Sequence, residues 1–311
     1  MPIFWRSKII LAKKEDTYAT DPTLTGAANA LLLTNVRLSP MEGEDVDSEE
    51  ELPWLGNQAT APASLRARLT ASINLAGSGT PGVAPAWAPL IRGLGCSETI
   101  VEDTSVTYRP VSDSHDSLYF KMWIGGTLYA FKGSRGDGTA RFPAQGLPKL
   151  DIDIQGLFIK PAEAARPTPV LTAWKRAQIV SAVRTPTFTV DGVSLIMREV
   201  SLALGNQVEP SLLVPVEEIL IVDRKETLSA RVRAVPLSVY DPFAQALDED
   251  ATVPVVLVHG DTPGKIFTFS APTCQQARLT GLENQQNIKE WPLTLKPLPV
   301  SGNDQWSLTL T

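Results

Sequence analysis

Apolar and polar positions alternate through most of this chain with the period of a β-strand. Leu65, Ala67, Leu69, Ala71, Ile73 and Leu75 share one strand face, with Arg66, Arg68, Thr70, Ser72 and Asn74 on the other. A period of two sends the first set into a core and the second toward water or an aqueous channel. The same reasoning predicts strands over residues 31–38, 107–109, 118–124, 127–132 and 150–155. Farther along it predicts strands over 194–204, 218–222, 227–234, 255–259, 266–269, 288–295 and 305–311. Gly125-Gly126 and Asp261-Thr262-Pro263-Gly264 close hairpins, and another strand pair is expected to flank Gly133 to Gly138. Helical turns interrupt the strands twice. Pro85 opens one that carries Trp87, Leu90, Ile91 and Leu94 and ends at Gly93 and Gly95; Asp241-Pro242-Phe243 opens the other. The expected fold is all-β with short helices.

Order along the chain suggests repetition. The strand at 65–70 leads through a Pro/Gly turn to a short helix and further strands, and the strand at 228–233 does the same. Arg66 and Arg68 match Arg231 and Arg233 in this comparison, and a Leu-Gly-Asn-Gln run occurs at both 55–58 and 204–207. The two matches need different spacings, so the order of elements is the stronger signal. The chain is read as an internal duplication. Residues 1–30 form an irregular arm with a short extended piece at 9–12. Residues 31–160 form a first β domain and 173–311 a second. A Pro-rich linker at 161–172 lies between them.

An acidic run changes the picture at one place. Glu42, Glu44, Asp45, Asp47 and Glu49 crowd carboxylates that repel one another in a dry environment, so the stretch is expected to be a solvated loop. Trp54 and Leu55 place an apolar anchor beside it. Asp151 and Asp153 are read as a solvated strand face, since alternation alone puts them together.

Charge and chemistry narrow the function classes. The formal charge is -6, from 34 acidic and 28 basic residues, which argues against a protein that grips nucleic acid but not against one past which DNA moves. Cys96 and Cys274 are compatible with a bridge, and buried free thiols are the favoured reading. His115 lies in a polar loop and His259 at a strand end, with no nucleophile-elbow sequence to complete a relay. Neither the cysteines nor the histidines have the spacing of a zinc site, and the acidic run lacks a calcium-loop pattern. Gly133 to Gly138 lacks the lysine and following helix of a phosphate loop, and its Arg135-Gly136-Asp137 reads as a simple turn. No cofactor and no enzymatic activity are expected. The first residues lack the apolar core of an export signal, and no uncharged apolar run of transmembrane length occurs.

Several segments in order carry a family likeness. They are residues 27–30 through Ser39-Pro40, Leu55-Gly56-Asn57, residues 75–79, residues 84–90 and Arg92-Gly93-Leu94-Gly95, continued by 104–110, 133–136 and 291–301. Together they resemble the major tail tube protein of long, non-contractile-tailed bacteriophages. The resemblance implies two tandem tail-tube-like β-sandwich or barrel domains and a structural role in stacked rings around a DNA passage. It implies self-association as homotrimeric, pseudo-hexameric rings, with a tail terminator, a distal tail protein and a tape measure protein as partners. Double-stranded DNA would pass transiently and without specificity. No membrane is involved, and the location is the virion tail, assembled in the host bacterial cytoplasm. In that setting Glu42, Glu44, Asp45, Asp47, Glu49, Trp54 and Leu55, within a stacking loop at 40–60, are candidate inter-ring contacts. Arg66, Arg68, Arg231 and Arg233 line the lumen or pair with carboxylates at an interface. The reading from a different class is a two-domain β-sandwich adhesin or carbohydrate-binding tail-tip module, which requires an exposed aromatic groove.

Overall fold

The computed structural model describes residues 3–311. Its first part contains β1 (Lys8–Lys14), α1 (Gly26–Asn29), β2 (Thr34–Asp47), β3 (Thr60–Asn74), α2 (Ala88–Gly93), β4 (Cys96–Val101), β5 (Ser105–Pro110), β6 (Leu118–Ile124), β7 (Thr127–Pro143) and β8 (Lys149–Glu163). An extended irregular stretch leads to β9 (Thr187–Val190), β10 (Val193–Ser194), β11 (Met197–Ala203), β12 (Asn206–Leu212), β13 (Glu217–Arg224) and β14 (Thr227–Arg233). The chain ends with α3 (Pro242–Leu247), β15 (Val253–His259), β16 (Phe267–Gln276), β17 (Glu283–Gln285), β18 (Ile288–Pro297) and β19 (Ser307–Leu310). The fold is all-β with a few short helices, and 17 of the strands belong to one large sheet.

Antiparallel pairing runs β2-β3-β8-β7-β6-β1 through the first part. In the second it runs β11-β14-β18-β16-β15-β9, with β10 folded back on β9. Two seams join the parts. The last residues of β7 pair with β11, Thr139 opposite Ala203 and Pro143 opposite Glu199. On the other side β19 pairs with both β16 and β5. β12 and β13 form a separate two-stranded ribbon.

The predicted apolar face of β3 is the buried one: Ala67, Leu69, Ala71, Ile73 and Leu75 lie in the core. That core is continuous across the parts. Trp87 stacks near Phe267 at 6.5 Å between ring centroids, and Phe142 meets His259 edge-on at 6.1 Å. Trp87 satisfies its indole N–H by donating to the Ala76 carbonyl at 2.8 Å, whereas the buried indole N–H groups of Trp123, Trp291 and Trp306 have no partner among the described residues. α3 begins at the expected Pro242, whose preceding Asp241 carboxylate accepts from the amides of Phe243 and Ala244, whereas α2 begins at Ala88, three residues after the expected Pro85, with Pro89 in its first turn. Gly125, at φ 63°, supplies the left-handed residue of the tight β6–β7 turn.

Four expectations need correction. Most of the acidic stretch is not a loop: β2 continues through Asp47, paired with Thr60 to Arg66 of β3, and only Glu49, Glu50 and Glu51 lie in the loop beyond it. Its carboxylates still face water, since backbone pairing in a two-stranded ribbon buries none of them. Gly133 to Gly138 do not form a turn, because β7 is continuous through them. Their lack of side chains serves close packing instead. A Cβ on Gly136 would fall 2.4 Å from the Asp153 carbonyl, and one on Gly138 would fall 2.6 Å from Leu94. Third, the extended piece expected at 9–12 in the N-terminal arm is part of a longer, fully paired strand. β1 pairs with β6, and Leu11 and Ala12 are buried. Finally, β4, β9, β12 and β17 were not predicted, and β10 only at Ser194, within the strand expected over 194–204. β12 is polar and contains Pro210, which an edge strand tolerates.

Candidate functional site

The face of the sheet opposite the core is polar and ion-paired. On β3, Arg68 binds the Asp153 carboxylate of β8, its Nε at 2.7 Å from Oδ1. Ser72 donates to Asp151 Oδ1 at 2.6 Å, and Arg141 of β7 donates to the other Asp151 oxygen at 3.0 Å. Arg141 also reaches Glu199 of β11 at 3.9 Å, carrying the network across the seam between the two parts. Beyond the seam, Arg231 Nε lies 2.5 Å from Glu290 Oε2 and 2.8 Å from Glu283. Arg198 donates to Glu290 Oε1 at 2.6 Å. The Arg198 hydrogen bond, with Arg231 behind it, holds the Glu290 carboxyl below its ordinary range.

The four arginines singled out from the sequence are thus placed as follows. Arg66 pairs with Glu42 at 3.7 Å, Arg68 with Asp153, and Arg231 with Glu290 and Glu283. Arg233 is exposed, without an ion pair among the described residues. Asp151, Arg141, Glu199, Arg198 and Glu290 join this face without having been picked out as candidates. Alternation on β8 and β14 marks their neighbours. The bulge between Met197 and Glu199 that turns Arg198 outward has no sequence signal.

Two ribbons project from the sheet. In the second part, β12–β13 lies across the first part. Ile219 is fully buried, its amide donates to the Tyr18 hydroxyl at 2.7 Å, and its carbonyl accepts from Arg135 at 2.8 Å. Asn206, at its base, donates to the carbonyls of Leu94 and Gly136 and accepts from Arg224. In the first part, the distal halves of β2 and β3 form the other ribbon. It brings together Glu42, Glu44, Asp45, Asp47 and, at its tip, Glu49, Trp54 and Leu55. All but the half-buried Glu42 are exposed, Trp54 at 68% and Leu55 at 104%.

Neither histidine stands in a catalytic relay. His115 Nε2 contacts the Val111 carbonyl at 2.9 Å, and His259 Nδ1 contacts the Thr185 hydroxyl at 2.9 Å, each held by burial below its usual pKa. Cys96 and Cys274 are free and buried, and burial pushes each thiol up to about 12. No group of three potential metal ligands is found among the described residues. Among the described residues no helix is long and apolar enough to cross a membrane. The cleft of about 560 Å³ beside Arg224 contains no aromatic residue, and that of about 580 Å³ beside β1 contains only Trp5. No protein-family model and no curated protein matches the chain.

Proposed function

We propose that this protein is the structural subunit of a tube, a tail tube of the long, non-contractile bacteriophage type. In this reading it assembles as stacked rings around a channel that conducts double-stranded DNA. The observation that carries it is the matched order of pairing in the two parts of the chain. Replacing β1, β2, β3, β6, β7 and β8 by β9, β11, β14, β15, β16 and β18 converts the first order into the second. Each set has a short helix between its third and fourth strands, α2 in the first and α3 in the second; α1, between β1 and β2, has no counterpart. This supports an internal duplication in which each chain supplies two ring positions, so that three chains close a pseudo-hexameric ring. In this alignment Asn74 matches Arg233, because each pairs at the start of the returning strand. Arg66 and Arg68 therefore do not match Arg231 and Arg233, and the Leu-Gly-Asn-Gln coincidence falls on a ribbon tip in one case and a ribbon base in the other.

Charge supports the passage of DNA. Arg66, Arg68, Arg141, Arg198 and Arg231 of the polar face are each answered by a carboxylate, and only Arg37 and Arg233 among its arginines lack an ion pair among the described residues, so a wall built from that face offers phosphate few uncommitted guanidinium groups. Electron microscopy of the purified chain, with native mass measurement of its assemblies, tests the proposal. Hollow stacked rings of three chains are expected. Six chains per ring would retain the tube and remove the pseudo-hexamer. A monomer that persists at all concentrations and salt conditions would overturn the proposal in favour of a binding module.

A further inference from the structure

Resting on that assembly reading, we infer which surfaces join one copy to the next. The open edge of β2 and its acidic ribbon dock on the end of β16 and the 277–282 segment of a second copy, repeating between chains the seam that β7 and β11 make within one chain.

Four observations converge on this contact. First, β2 pairs only with β3, whereas its counterpart β11 pairs with β14 on one side and β7 on the other. Second, β7 runs on to Pro143 to meet β11, whereas β16 stops at Gln276 and residues 277–282 belong to no strand. The chain that would extend β16 is held to β18 on one side, by the Ala277 amide on the Thr294 carbonyl and farther on by β17, and has no strand on its other side among the described residues; such an open edge is a template for another strand. Third, the covered ribbon sits with Asn206 against Leu94 and Gly136, at the end of α2 and on β7. The matching place in the second part is a groove of about 430 Å³ between the end of α3 and β16, lined by Ala246 and Gln276. It also holds Arg278 and Lys296, both exposed and neither ion-paired among the described residues. They complement a ribbon with seven carboxylates between 42 and 51 and no cation.

The fourth observation concerns the segment before each first strand. Val180, ahead of β9, is buried against the β7–β8 turn and exchanges backbone hydrogen bonds with Gln145 and Gly146. The equivalent stretch ahead of β1 contains Ile3, Phe4 and Trp5, exposed at 62%, 74% and 67%. These apolar side chains occupy the position that is covered in the internal seam. The contact is head-to-tail, so successive copies close a ring or continue as a filament.

In the internal seam Ser201 stands opposite Arg141. Extending the β16–β18 register places Gly281 opposite Glu290, the counterpart of Lys149, and β17 places Glu283 there, so the position matching Arg141 lies at 281–283 and Arg37 with Gly281 makes the test pair. Both are exposed, and a Cβ on Gly281 meets nothing within 4 Å. The test therefore uses the full chain carrying Arg37→Cys, Gly281→Cys or both, treated with a short bismaleimide. The native thiols are buried and do not compete. Neither single variant should cross-link alone, an equal mixture of the two should give covalent dimers only, and the double variant should give a ladder ending at the ring size. Ring-sized particles without these cross-links overturn the assigned edges and leave the tube reading intact. Absence of both particles and cross-links overturns both. As a second readout, Arg278→Glu with Lys296→Glu should lower ring yield about tenfold at low salt. An unchanged yield would remove the ribbon from the contact.

Discussion

The two ribbons of this protein are built alike and treated differently. Each is a two-stranded extension between the first strand of a sheet and its neighbour, and a ribbon of two strands is marginal in water by itself. β12–β13 has its own chain's first part beneath it, and there Ile219 is buried and Asn206 satisfies its amide group. The β2–β3 ribbon has only water, with Trp54 and every carboxylate between 42 and 51 except the half-buried Glu42 exposed. Sequence composition does not separate a strand that ends in solvent from one that awaits a surface. The difference lies in what the chain has already placed underneath. An uncovered ribbon beside a sister that is covered is what the proposed contact between copies would explain.

The sharpest way to break the comparison is to empty the covered side. Ile219→Ala should cost about 2–4 kcal/mol, the usual range for a fully buried aliphatic truncation, read by denaturant unfolding. Val46→Ala, on the open ribbon at 56% exposure, should stay within about 0.5 kcal/mol. Equal losses at the two sites would mean that the open ribbon is covered even in the isolated chain.

Next in size is Asn206→Ala. It strands the carbonyls of Leu94 and Gly136 and one Arg224 donor, and about 2 kcal/mol should follow from those unmet groups. Proteolysis after this change should cut first within 205–224. If cleavage begins elsewhere, Asn206 does not anchor the ribbon.

Much of the framework was legible because local rules governed it. β3, β8 and β14 alternate, Pro and Asp mark α3, and paired glycines mark the β6–β7 turn, so these elements follow from neighbouring residues alone. The failures share a cause. Gly133 to Gly138 looked like a turn because nothing in the sequence says that Leu94 and the strand carrying Asp153 press against them. The acidic run looked like a loop because carboxylate repulsion forbids burial, but it does not forbid pairing with Thr60 to Arg66. On the polar face, alternation identified the side on which Arg68 and Asp153 lie. Their pairing, and that of Arg231 with Glu290, depends on register between strands far apart in sequence.

A smaller effect separates the two parts of the sheet itself. The second part buries Glu290 beneath Arg198 and Arg231, while the first uses the more exposed Asp151 with Ser72 and Arg141. Glu290→Gln should cost about 1–2 kcal/mol at pH 7, since both arginines are partly solvated. Because the folded carboxyl titrates below its ordinary 4.5, its contribution is present above that value and is lost as pH falls through the lower folded pKa. The wild-type chain should therefore lose stability more steeply than the variant on acidification below about pH 4.5. Parallel pH curves would show that Glu290 is not held as its contacts imply.

The least expected change in the isolated chain is the most informative about its neighbours. The ribbons differ along their lengths, but their tips are alike. Trp54 and Leu55 are exposed on one, and Leu213 and Val214 on the other at 69% and 99%. An apolar tip in water gains nothing for the chain that carries it, so Trp54→Ala and Val214→Ser should each leave the unfolding free energy within about 0.5 kcal/mol. If the tips meet the adjacent ring of a stack, both substitutions should shorten tubes while leaving single rings intact in electron micrographs. The loss should be larger for Trp54, whose ring carries more apolar area. Loss of the single rings with Trp54→Ala would instead move that tip into the contact within a ring. Full-length tubes with both variants would remove the tips from stacking altogether.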